Sequence, residues 1–187
     1  MYFCNVKTLI DTLLKGGSIL YPTDTIWGLG CDATNPSAIE KLYQIKERDH
    51  SKSMLILIAD EQMLLRYFPH PSPEAIRLLL ESERPTTVIL PASESSLPSN
   101  LLAQDGTIGV RIPKHQFCQN LLNQLGRPVV STSANLSGHP SPTGFQDIEE
   151  ELKSRVDAIA HNIDTQPALP SRIVKITDAG EVLIIRS

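Results

Sequence analysis

The run Met54-Leu55-Ile56-Leu57-Ile58 constrains this chain more than any other stretch. Five apolar residues in succession match the length of a strand, and such a strand is expected to be covered on both faces. The flanking patterns agree with helices as the cover. Val6, Leu9, Ile10, Leu13 and Leu14 follow helical spacing, with Asn5 as N-cap and Gly16-Gly17 as the stop. Asn35-Pro36 caps and opens a second helix through Ala38, Ile39, Leu42 and Ile45. Further helices are predicted near 60–66, 73–82 and 115–125, the last stopping at Gly126. Thr143 and Gln146 have capping-box spacing ahead of Ile148 and Leu152. Strands are predicted at Ser18–Tyr21, Thr87–Leu90, Thr107–Ile112, Pro128–Ser131, 172–176 and 181–186. Strands interspersed with helices throughout predict one α/β domain over 1–187, an open, twisted, mixed parallel and antiparallel sheet flanked by helices.

Size and charge remove other classes. A chain of 187 residues buries roughly 70% of its unfolded surface. A content of 41% hydrophobic residues is therefore enough for a core without staples. Net charge is −4, which argues against coating nucleic acid or an anionic membrane with the whole surface. No apolar run approaches the roughly 18 residues of a membrane span, and the N-terminus lacks the pattern of a signal peptide. Cys4, Cys31 and Cys118 are odd in number and far apart, so neither a disulfide framework nor a zinc site is indicated. A reducing, intracellular compartment fits.

The chemistry is not carried by common motifs. Gly28-Leu29-Gly30-Cys31-Asp32-Ala33 matches the dinucleotide pattern, but that fingerprint must open a helix directly, and the next helix waits until about residue 36. Three other segments are chemically dense. Tyr21-Pro22-Thr23-Asp24-Thr25 puts two hydroxyls and a carboxylate on a loop after a strand, although a plain turn accounts for it alone. Lys46, Arg48 and Lys52 place three cations within seven residues, as a solvated helix end also would. Ser131-Thr132-Ser133-Ala134-Asn135-Leu136-Ser137-Gly138 offers hydroxyl, amide and backbone donors of the kind a phosphate or carboxylate needs. Loops at strand ends converge on one crevice in an α/β sheet, and Arg111, on the polar face of Thr107–Ile112, can face it. Such a site suits phosphates and a small carboxylate. It holds no obvious nucleophile and no metal cluster.

PTDTIWGLGCDA, Lys46-x-Arg48 leading into KSMLILIA, RPTTVIL, IGVRIP and STSANLSGHPSPT, in that order, resemble the YrdC/TsaC family of threonylcarbamoyl-AMP synthases. The resemblance covers the chain from about residue 6 to 186. It implies conversion of L-threonine, bicarbonate and ATP, with Mg²⁺ on the nucleotide, into threonylcarbamoyl-AMP and pyrophosphate. It further implies a cytoplasmic protein with no membrane association, supplying the proteins that transfer threonylcarbamoyl to tRNA. Thr25, Arg111 and Ser131 are then expected to hold threonine. Lys46, Arg48, Lys52, Ser133, Asn135 and Ser141 are expected on the nucleotide side, with Lys46 and Arg48 acting in catalysis and Arg186 closing over ATP. No general base is nominated, and Asp24 suits a turn or supporting role. The chain departs from the family pattern at Trp27 (usually Tyr), after Arg48 (no proline), at Glu83-Arg84-Pro85 (usually Pro-Gly-Pro) and after Arg186 (no glycine). The longer relatives carry an extra C-terminal domain. Two rivals stay open: a carbamoyltransfer domain like that of hydrogenase-maturation proteins, and a non-catalytic module binding double-stranded RNA.

Overall fold

A computed structural model describes residues 3–161, 169–177 and 180–187. Its strands are β1 (Phe3–Cys4), β2 (Ile19–Tyr21), β3 (Gly28–Gly30), β4 (Leu55–Leu57), β5 (Thr86–Pro91), β6 (Thr107–Arg111), β7 (Val129–Ser133), β8 (Ala158–Ala160), β9 (Arg172–Ile176) and β10 (Val182–Arg186). Its helices are α1 (Val6–Leu14), α2 (Pro36–Lys46), α3 (Glu61–Tyr67), α4 (Pro73–Glu81), α5 (Gln116–Leu125) and α6 (Glu150–Arg155). The strands form one mixed sheet in the order β1-β8-β2-β3-β7-β4-β6-β5-β9-β10.

The helix signals are local, and the structure keeps them. Asn5 accepts from the Thr8 amide, Asn35 accepts from Ser37 and Ala38, and Gly126 takes φ 69° just past α5. At 143–147 the reading is corrected. Asp147, not Gln146, reaches back to the amides of Thr143 and Gly144 and to the Thr143 hydroxyl. It closes a short 3₁₀ turn at Phe145–Asp147 ahead of α6.

The strands β1, β3 and β8 carry no sequence signal of their own. β3 is Gly-Leu-Gly, threaded between β2 and β7. A Cβ on Gly30 would lie 2.2 Å from the Val130 carbonyl oxygen, so the close approach of β7 demands glycine there. The segment once matched to a dinucleotide fingerprint is thus a buried strand, and α2 opens only at Pro36.

The second correction concerns β4. Ile56 is fully buried, but Leu55 is only part-buried and faces the other way. Pairing sets Ser131, Leu55, Gly109 and Ile89 side by side in one row on that face. Ile108 and Val110 point into the core while Gly109 and Arg111 share the open face, as the alternation predicts. The middle of the sheet is therefore covered by side chains on one face and hollow on the other.

Candidate functional site

The hollow is a cavity of about 280 Å³ on that open face. Gly109 deepens its floor between Leu55 and Ile89. Thr25, Arg48, Arg111, Ser131, Ser133, Ser141 and Arg186 line it, so seven of the ten expected site residues meet there. Lys46, Lys52 and Asn135 do not reach its wall.

The reason lies at the end of α2. Lys46 is its last helical residue, and Glu47 takes φ 51°, ψ 44°, the left-handed conformation. The Arg48 amide then donates to the Tyr43 carbonyl at 3.0 Å and the Glu47 amide to Gln44 at 3.1 Å. This is a Schellman turn with glutamate where glycine is usual. Across it the two cations diverge. Lys46, 1% exposed, turns inward and donates to the carbonyls of Ser133 at 2.6 Å and Asn135 at 2.7 Å. Arg48 turns to the cavity, where its Nε and Nη2 donate to the carbonyls of Lys52 and Ser53 at 2.7 and 2.9 Å. Lys52 contributes that carbonyl, while its side chain is exposed.

The loop after β7 is sewn to the same helix end. The Ser137 amide donates to the Lys46 carbonyl, and the Asn135 amide group donates to Leu136 and His139 carbonyls at 2.7 and 2.8 Å. Lys46 and Asn135 thus fix the loop at the end of β7, the strand that carries Ser131 and Ser133. Burial, and then the nearby Arg48 guanidinium, pull the Lys46 pKa down to about 7. An unfolded lysine titrates near 10.4, so above about pH 7 the unfolded chain holds more protons than the folded one. Stability should therefore rise from about pH 7 to pH 9 and level off below pH 7, where the lysine is protonated in both states. Urea titrations across that range should show the slope, and Lys46→Met should flatten it. An unchanged slope in the variant would assign it to other groups.

At the other end of the cavity Arg111 is 3% exposed. Its Nη1 donates to the Thr25 hydroxyl at 2.9 Å, and its Nη2 lies 3.2 Å from an Asp24 carboxylate oxygen. Thr23 spends its proton on the Ile26 carbonyl at 2.8 Å, so Thr25 donates to Thr23 across their 2.9 Å contact. Thr25 is left with an acceptor lone pair, and Arg111 with a buried Nε that has no partner among the described residues. Across the floor, Arg186 donates to the Ser171 carbonyl through Nε and Nη2 at 3.1 and 2.8 Å, and the Ser171 hydroxyl meets Thr87 at 2.8 Å. Burial, then the neighbouring Arg111, lower the Arg186 pKa. Among the described residues, three guanidiniums thus line the cavity, and Asp24 is the carboxylate paired with one of them. The electrostatics call for an anion with more than one acidic group.

Sequence reasoning missed Thr87, Ser171 and Tyr21. Thr87 shares the open face with Ile89 and so carried a period-2 signal. Tyr21 is fully buried beneath Gly28, where a Cβ would come within 3.0 Å of the ring and 3.3 Å of the Ser131 hydroxyl. Among the described residues no group of three or more His, Cys, Asp or Glu side chains is placed to hold a metal, and no helix is long and apolar enough to cross a membrane.

Comparison with known proteins adds four findings. The sequence matches the Sua5/YciO/YrdC family, described as telomere recombination, over residues 11–187. A threonylcarbamoyl-AMP synthase of Vibrio parahaemolyticus is 33% identical over 185 residues, 97% of this chain and 98% of that one. Among solved structures, Pyrococcus abyssi Sua5 complexed with L-threonine superposes with a TM-score of 0.88 at 26% identity. That match takes in 97% of this chain but only 53% of Sua5, so the chain spans about half the length of that relative. Full-length HypF in a phosphate- and nucleotide-bound form gives a TM-score of 0.84 at 27% identity, over 97% of this chain and 28% of HypF.

Proposed function

We propose that this chain, which belongs to the Sua5/YciO/YrdC family, is a threonylcarbamoyl-AMP synthase acting in the first step of tRNA threonylcarbamoyladenosine formation. The observation that carries the reading is the division of one cavity into two chemically distinct ends. Arg111, Thr25 and Ser131 offer a guanidinium, a fixed acceptor and a hydroxyl, which suits a small hydroxy amino acid. Arg48, Ser133 and Ser141 line the same cavity and suit phosphates, with Arg186 a further cation beside Arg111.

In this reading the threonine carboxylate accepts from the Arg111 guanidinium, and the ammonium or hydroxyl of threonine donates to Thr25. The amine forms a C–N bond with carbon from bicarbonate, water leaves, and a carbamate results. A carbamate oxygen then bonds to the α-phosphorus of ATP as the bond to pyrophosphate breaks. Such a displacement asks for positioning and for neutralisation of charge. Arg48 and Arg186 supply cations fixed in advance by backbone carbonyls, so little reorganisation is needed at the moment of reaction. Asp24 holds Arg111 in place as its counter-ion. Mg²⁺ belongs to the substrate: it enters on the ATP phosphates, which hold it without a dedicated protein cage. The product passes to the proteins that transfer threonylcarbamoyl to tRNA, which places the chain in the cytoplasm.

Incubation with ATP, Mg²⁺, bicarbonate and threonine should yield threonylcarbamoyl-AMP and pyrophosphate, read by mass spectrometry. Omission of any one reactant should stop both. A chelator should abolish turnover while leaving the melting curve of the ligand-free protein in place. Folded protein that makes no product would overturn the reading, and unfolding on chelation would overturn the assignment of Mg²⁺ to the nucleotide.

A further inference from the structure

Among the described residues, Glu47 alone adopts positive φ without being glycine, and it sits between Lys46 and Arg48. An L-residue held there is strained unless its surroundings fix it. Arg155, the last residue of α6, supplies the fixation. Its Nη1 donates to the Ile45 carbonyl at 3.1 Å and pairs with the Glu47 carboxylate at 2.7 Å, while Nη2 pairs with Glu151 one turn back. One guanidinium thus satisfies a carbonyl orphaned at the end of α2 and grips the residue whose conformation turns the chain. Neither Arg155 nor Glu47 lines the cavity.

We propose that Arg155, acting through Glu47 and the Ile45 carbonyl, is a positioning residue that locks the left-handed turn and thereby aims Arg48 at the nucleotide end of the cavity. Charge alone does not explain the arrangement. The Glu47 side chain is 61% exposed, and an exposed ion pair contributes little to folding. The bond to Ile45 and the grip on a left-handed residue are what a surface pair elsewhere would lack. Thr25 and Arg111 at the threonine end stand on other elements, the loop after β2 and β6, so a loosened turn should leave them intact.

The consequence for turnover rests on the synthase reading; the positioning itself does not, and two readouts separate them. Hydrogen exchange of the segment 46–53 should quicken in Arg155→Ala and return to the wild-type rate in Arg155→Ala/Glu47→Gly, because glycine holds positive φ without help. In the synthase assay Arg155→Ala should lower kcat/KM for ATP by roughly 10- to 100-fold with KM for threonine unchanged, and the added Glu47→Gly should restore most of it. In an Arg48→Ala background Arg155→Ala should cost nothing further, whereas a merely structural role would multiply the two losses. Should Arg155→Ala fold poorly, Glu47→Gly and Glu47→Val provide the contrast: glycine near wild type, valine impaired toward ATP. Equal behaviour of those two, losses that multiply, or exchange unaltered in Arg155→Ala would overturn the proposal. A wild type without synthase activity would overturn the reading of function instead, and hydrogen exchange would still decide the role of Arg155.

Discussion

Replacing Arg48 with alanine should cut turnover by roughly 10²–10³-fold while moving the melting temperature by no more than a few degrees. The guanidinium is half-buried in the cavity wall and held by the carbonyls of Lys52 and Ser53. Burial lowers its pKa from the usual value, yet an arginine stays charged at any working pH. A fixed cation beside the phosphates acts where charge develops as pyrophosphate leaves, and its loss falls on the transition state more than on binding. Its part in folding is two hydrogen bonds to loop carbonyls, worth about 1 kcal/mol each. Arg48→Lys should recover only part of the rate, because an ammonium cannot hold both carbonyls and still present a fork to the phosphates. Saturation kinetics with ATP, run beside thermal melts of the same preparations, check this. A variant that melts early but turns over normally would make Arg48 a structural residue.

How far such a site is legible in the sequence depends on the range of the forces that build it. Arg111 was placed correctly because strand alternation is local: with Ile108 and Val110 in the core, the residue between and the residue after must share the opposite face. Asn5, Asn35 and Gly126 were legible for the same reason, since caps act within one helical turn. Leu55 was not. An apolar residue that floors a cavity has the same composition as one that fills a core, and only the empty face tells them apart. Gly28–Gly30 was unreadable as a strand because its glycines answer to Val130 and Tyr21, contacts made by the fold and absent from the local pattern. The fate of Lys46 was hidden in the same way. Two cations at i and i+2 read as one cluster, and only a helix that ends between them, on a glutamate in a glycine's conformation, sends one inward and the other to the cavity. Asp147 took the place of Gln146 because the turn opens one residue later than expected, with Gly144 at its N-cap and Asp147 three residues on.

Arg111→Lys should depress kcat/KM for threonine strongly and leave ATP affinity nearly unchanged. The planar guanidinium divides its donors three ways: Nη1 to Thr25, Nη2 toward Asp24, and Nε with no partner among the described residues. A lysine supplies one charge and cannot span all three directions, so the incoming carboxylate must compete with Asp24 for a single ammonium. Lysine is nevertheless the right substitution for this test. Alanine would strand the Asp24 carboxylate, 11% exposed, without its counter-charge, and breaking a buried pair in that way costs about 3–5 kcal/mol of stability. The second arm replaces threonine by serine, which removes one methyl. In wild type that should cost roughly 10- to 200-fold in kcat/KM, so serine is a poor substrate and not an inert one. Because the carboxylate is common to both amino acids, Arg111→Lys should lower them by a similar factor and preserve the threonine-to-serine ratio. A large change in that ratio would move Arg111 to the side-chain end of the amino acid. The bond it makes to Thr25 would then orient the methyl subsite, and the carboxylate would have to be sought at Arg186, the next guanidinium along the same wall.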